Sequence, residues 1–205
     1  MGFLKRIWNG NQEKKSQTTT TTTPQTPNYN EEQIKIAIHE AAQGYLFRRG
    51  DKMQLSPACF QFVLPAEIKP GNIEVLEREA DIGNPEAQWV WALRYLTGFK
   101  NIDDLPNPGI VGQRINNAGA QGVAAARNYL VDHFKSIGNK DSAVGWLAEA
   151  FKIEENKIAG IISLEWKAEG YYFEKDPQAL SQLVVFAKHG LERAKWYLEC
   201  IGVTY

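Results

Sequence analysis

Cysteine is scarce: Cys59 and Cys200 are the only two in 205 residues. Two thiols so far apart exclude a disulfide framework and a zinc spacing, and they read as buried, reduced side chains in a reducing compartment. Histidine is limited to His39, His133 and His189. His39-Glu40 has no second histidine four residues on, so a zinc-protease helix is excluded and no metal ligand set forms. Long apolar runs are missing, and none approaches the roughly 18 residues that a membrane-crossing helix needs. The opening MGFLKRIWNG lacks the apolar core and cleavage site of a secretory signal. Arg6 stands where a myristoylation signal carries Ser or Thr. The expected location is therefore cytoplasmic. Charge of one sign is lacking too: the net charge is −1, so the chain has no nucleic-acid footprint. There is no Gly-x-Ser-x-Gly elbow, no phosphate loop behind a strand and no paired cysteine motif. No catalytic residue, metal or cofactor is nominated, and the chain reads as a non-enzyme.

What is present is unevenly distributed. Lys5, Arg6, Lys14 and Lys15 against Glu13 leave +3 in the first fifteen residues, and the remainder carries −4. Residues 1–30 read as a disordered tail. Thr18 through Thr23 run unbroken before Pro24 and Pro27, a polar tract with nothing to bury. Ahead of it, Phe3, Leu4, Ile7 and Trp8 fall on one helical face, as in a docking peptide or a weak membrane-surface foot. Order is expected from Asn30, an N-cap followed by Glu31 and Glu32, whose charges suit the start of a helix. Ile34, Ala37, Ile38, Ala41, Ala42 and Tyr45 recur at helical spacing. Residues 31–71 are thus a helix and an irregular capping segment, since Gly50, Pro57, Pro65, Pro70 and Gly71 punctuate the second half.

From residue 72 onward the chain is internally repetitive. Ala80, Gly83 and Ala87 precede the large Trp91. The same spacing returns as Gly119, Gly122, Ala126 and Leu130, and again as Ala187, Gly190, Ala194 and Leu198. A degenerate copy around Ala159 has Lys152 and Glu155 where small residues stand elsewhere. Glycines at 83, 122 and 190 end one helix in a left-handed cap, and the following alanine lets neighbouring helix axes approach closely. Each helix pair leaves an apolar face that only the next pair can cover, so the pairs should stack.

Ala80, Gly83, Asn84, Ala87, Tyr95 and Gly98 resemble the Sel-one-like repeat family, relatives of the tetratricopeptide repeat, whose pattern runs Ala-x-x-Gly-Asn-x-x-Ala-x-x-x-Leu-Gly-x-x-Tyr-x-x-Gly. Trp91 and Ala92 depart from it. The resemblance covers about residues 72–202, within a repeat domain expected over 72–205, and implies an all-α, right-handed α/α solenoid of about four helix-hairpin repeats. It also implies an adaptor or scaffold that binds a protein or peptide on its concave face. Members also serve as immunity or inhibitor proteins that neutralise a toxin or enzyme, which is the second reading. Peripheral membrane attachment through residues 1–8 is the third. Trp89, Asn128 and Trp196 share one repeat position, and Arg94, His133 and Trp166 share another. Both lie off the small-residue face, so these six are the expected partner-binding residues.

Overall fold

The computed structural model describes residues 30–64, 66–98 and 108–205. The expectations for residues 1–29 lie outside it, including the docking peptide Phe3, Leu4, Ile7 and Trp8. The first helix, α1, spans Glu31–Ala42 and begins directly after Asn30, with Glu31 and Glu32 in its first turn. Ile34, Ile38, Ala41 and Ala42 bury one face of it, the spacing of a helix that covers a core along one stripe.

The segment expected to be irregular contains a β-hairpin. Strand β1, Leu46–Arg49, pairs antiparallel with β2, Lys52–Leu55, in the register Leu46↔Leu55 to Arg49↔Lys52. Gly50 turns the chain at φ 56°, the positive value that a two-residue hairpin turn requires. Strands of four residues without strict apolar–polar alternation give the sequence no period to show. A 3₁₀ turn, Pro57–Cys59, and the short α2, Phe60–Val63, complete this segment.

Eight further helices follow among the described residues: α3 (Pro70–Asp81), α4 (Pro85–Leu96), α5 (Pro108–Ala120), α6 (Ala124–Ser136), α7 (Lys140–Phe151), α8 (Lys157–Glu169), α9 (Pro177–Lys188) and α10 (Glu192–Cys200). The chain is thus mostly helical, as expected. Helix α3 starts two residues before the expected boundary at 72 because Pro70 occupies its first position, where a missing N–H costs nothing. From α3 to α10 every helix packs on the next.

The Gly-Asn pair shows how sequence sets the pacing. Gly83 takes φ 96°, and Asn84 N–H donates to the Glu79 carbonyl, closing α3. The Asn84 side chain then accepts from the Glu86 and Ala87 N–H groups and opens α4. Ala87, Ala126, Ala159 and Ala194 are all fully buried. In the degenerate copy the turn is longer, and Glu155 adopts φ 61° without the freedom of glycine.

Strand β1 ties the two ends of the chain together. Leu46 belongs to the core built from α1 through α6, while its neighbour Phe47 is buried with residues of α8, α9 and α10. Successive strand residues point to opposite sides, so one short strand serves two cores.

Candidate functional site

Helices α4, α6, α8 and α10, which carry the buried alanines, also carry the candidate site. Helix α1 packs on α4, and β1 packs on α6. At the far end Phe47 lies 5.6 Å from the Trp196 ring, with Tyr45 stacked on it at 4.2 Å. The N-terminal segment therefore occupies much of the surface expected to receive a partner. Trp89 and Trp166 are fully buried, Trp196 is 6% exposed and Asn128 5%. Trp89 packs on Tyr129, Trp166 on Tyr171, and Asn128 exchanges side-chain amide hydrogen bonds with Asn156 at 3.2 Å. These four are interior residues, a correction to the expectation of an open face. Arg94 is half-buried and donates to Glu77 at 3.4 Å. Of the six expected residues, His133 alone is exposed, with its ring partly covered between two openings.

Beneath the hairpin lies a buried ionic cluster. Arg193 on α10 donates from Nε and Nη2 to Glu165 of α8, both at 2.6 Å. It also donates from Nη1 and Nη2 to Asp132 of α6, at 2.5 and 2.9 Å. Its guanidinium sits 5.0 Å from the Phe47 ring and 5.2 Å from that of Trp196. Burial opposes the charge on Arg193, but Asp132 and Glu165 outweigh it and hold the group well above its ordinary value. Nearer the rim, Arg49 donates to Glu169 at 2.5 Å, and Lys135 pairs with the same carboxylate. Both carboxylates of the cluster carry a signal in the sequence: Asp132 and Glu165 stand at the same offset from the repeat alanines Ala126 and Ala159.

Two openings flank His133. An apolar cavity of about 650 Å³ lies between α4, α5 and α6, walled by Tyr95, Val111, Ile115, Leu130 and Phe134. A polar cavity of about 280 Å³ lies between the hairpin tip and α6, walled by Arg48, Gly50, Asp51, Asp132 and Ser136. Tyr129 and His133 line both, their rings nearly parallel at 6.0 Å. Arg48 donates to the Tyr129 hydroxyl, and burial raises the pKa of that phenol. His133 is held below its ordinary value by burial and by the charge of Arg48. Arg48 escaped sequence reasoning because it lies on the unrecognised hairpin. Tyr129, Phe134 and the α5 residues escaped because large apolar residues on a helix look the same whether they fill a core or line a groove.

Other titratable groups serve structure. His39 Nδ1 lies 2.9 Å from Glu86, and His189 at the end of α9 caps the Val185 carbonyl at 2.8 Å. The Cys59 thiol lies 3.3 Å from the Ala41 carbonyl, and burial pushes its pKa up to about 12, which removes thiolate reactivity. Among the described residues there is no cluster of His, Cys, Asp and Glu able to hold a metal, and no helix long and apolar enough to cross a membrane. Comparison with known proteins returns no matching family model, curated protein or solved structure.

Proposed function

We propose that this chain is a protein-interaction module, an adaptor that holds an apolar segment of a partner protein in the groove between α4, α5 and α6. The observation that carries this reading is the groove itself. It is a concave, largely apolar cavity of about 650 Å³ with aromatic walls, set on helices that pack consecutively. Such a shape suits the buried centre of an interface, where a few apolar anchors carry most of the binding energy. The right-handed solenoid and the Sel-one-like assignment belong to the same reading. They are supported by the buried alanines and by the left-handed glycines at 83, 122 and 190.

The expected groove on the repeat's inner helices is thereby narrowed to one end. The hairpin covers Trp196, and α1 packs over α4, whereas neither covers the opening beside His133; a second apolar cavity, of about 630 Å³ between α8 and α9, lacks its aromatic-rich wall. The test is quantitative pull-down from the native source with the full chain, with Val111→Asp and with a distant control, Glu174→Lys. A partner retained by the control and lost by Val111→Asp, with helicity unchanged, supports the groove. Partners bound equally by all three chains overturn it.

A further inference from the structure

Resting on that reading, we infer that the groove selects partner segments in which apolar side chains are followed directly by a carboxylate, with Arg48 as the receptor for the acid. The argument is one of charge and adjacency. The apolar and polar cavities are neighbours through their common wall of Tyr129 and His133, so an occupant of the first reaches the second without leaving the surface. The cations nearby are already neutralised. Arg193 is taken by Asp132 and Glu165, Arg49 and Lys135 by Glu169. Asp132, the carboxylate lining the polar cavity from α6, has both oxygens engaged by Arg193 and repels an incoming anion only weakly. Arg48 is different. It is exposed, lines the polar cavity and contacts a neutral phenol, and no carboxylate among the described residues pairs with it, Asp51 at the hairpin tip included. A guanidinium presents planar donors that match a carboxylate, so an acid placed here gains a charge-assisted pair.

Charge also decides against the chain's own N-terminal peptide. Phe3, Leu4, Ile7 and Trp8 supply apolar side chains, but Lys5 and Arg6 bring cations and residues 1–8 contain no carboxylate side chain. A partner segment of apolar–acidic character fits both compartments at once. Arg48 lies on the hairpin and not on the repeat, so the selectivity is a property of the N-terminal addition.

The experiment uses the full chain and two capped tetrapeptides, two leucines followed by two glutamates and two leucines followed by two glutamines. Binding is read by calorimetry and by the NMR titration of the His133 imidazole. Arg48 on β1, Asp51 in the turn, Asp132 and Tyr129 on α6 and Tyr95 on α4 are the ionisable groups lining the cavities around that ring. The acidic peptide should bind more tightly than the amide peptide by about two- to fivefold, the range of a partly exposed ion pair, and should raise the His133 pKa. Arg48→Gln should erase the difference, and Arg48→Lys should restore part of it. Equal binding of the two peptides, lost in Val111→Asp, overturns the acidic preference while leaving the proposed function standing. Binding of neither peptide overturns the inference too. Inorganic phosphate acting as strongly as the acidic peptide overturns the apolar requirement. A shift of His133 on deleting residues 1–29, or on replacing Asp103 and Asp104 by Asn, with no peptide present, assigns the groove to the chain itself and overturns it as well.

Discussion

Individual residues decide how the helices meet. Ala87 is fully buried on α4, a helix packed by α1, α3 and α5, so added volume has nowhere to go. Ala87→Leu is expected to destabilise by about 1–3 kcal/mol through overpacking, measured by urea unfolding. Glu155 is the opposite case. It holds φ 61° at the turn between α7 and α8, a backbone state that costs a non-glycine residue about 1 kcal/mol. Glu155→Gly should therefore raise the unfolding midpoint, although glycine ordinarily weakens a chain. The residues that set the pacing were the most legible in the sequence. Glycine at 83, 122 and 190 has one dominant physical use after a helix, and alanine at a crossing has few. Aromatic residues were less legible. Trp91 was expected in the core and lies there, with the Arg114 guanidinium 3.8 Å over its ring. Trp89, Trp166 and Trp196 were expected at a surface and are interior, because helical spacing fixes a side of the helix but not what covers it.

Arg193 joins elements far apart along the chain. It links α6, α8 and α10 through two carboxylates and supports the Phe47 ring from below. Arg193→Ala leaves Asp132 and Glu165 buried and unpaired and should cost about 3–5 kcal/mol. Arg193→Met in a background with Asp132→Asn and Glu165→Gln should recover much of that loss, because the penalty comes from the stranded charges and not from the missing bonds. Chemical denaturation of the two chains distinguishes these contributions. Helices were readable as elements because apolar residues recur at helical spacing, and Asn84, Asn139 and Asp176 cap α4, α7 and α9, although Asn30 makes no side-chain capping bond to α1. The hairpin was not, since Leu46-Phe47-Arg48-Arg49 alternates neither in polarity nor in size. That single omission concealed both the covering of Trp196 and the position of Arg48.

At the scale of the molecule the charged groups make stability depend on pH in two windows. His133 has a folded pKa below its ordinary 6.5, held there by burial and by Arg48, so the unfolded chain takes up the proton first. Stability is therefore expected to fall as pH drops below 6.5. For Glu169 burial pulls upward, but Lys135 and Arg49 prevail and its folded pKa lies below 4.5. Its contribution is complete above 4.5 and is lost as pH falls through the folded value. Melting temperatures across this range should decline in two stages. His133→Gln should flatten the upper stage, and Glu169→Gln the lower. The groove beside His133 was only partly readable from sequence, because it depends on helices and a hairpin far apart along the chain.

The docking of β1 on α6 and α10 has a consequence for how the chain is made. Phe47 is synthesised early, whereas Arg193 and Trp196, which cover it, follow about 150 residues later. At ribosomal speeds of about 5–20 residues per second, that ring waits of the order of ten seconds for its seat. Helices α3 to α9 can meanwhile pack on their sequence neighbours, because each contacts the next. A chain stopped before α10 should keep its helicity but bind a hydrophobic dye, and the chain that carries α10 should not. Formation of α10, and not of any earlier helix pair, is then the event that withdraws Phe47 from chaperones.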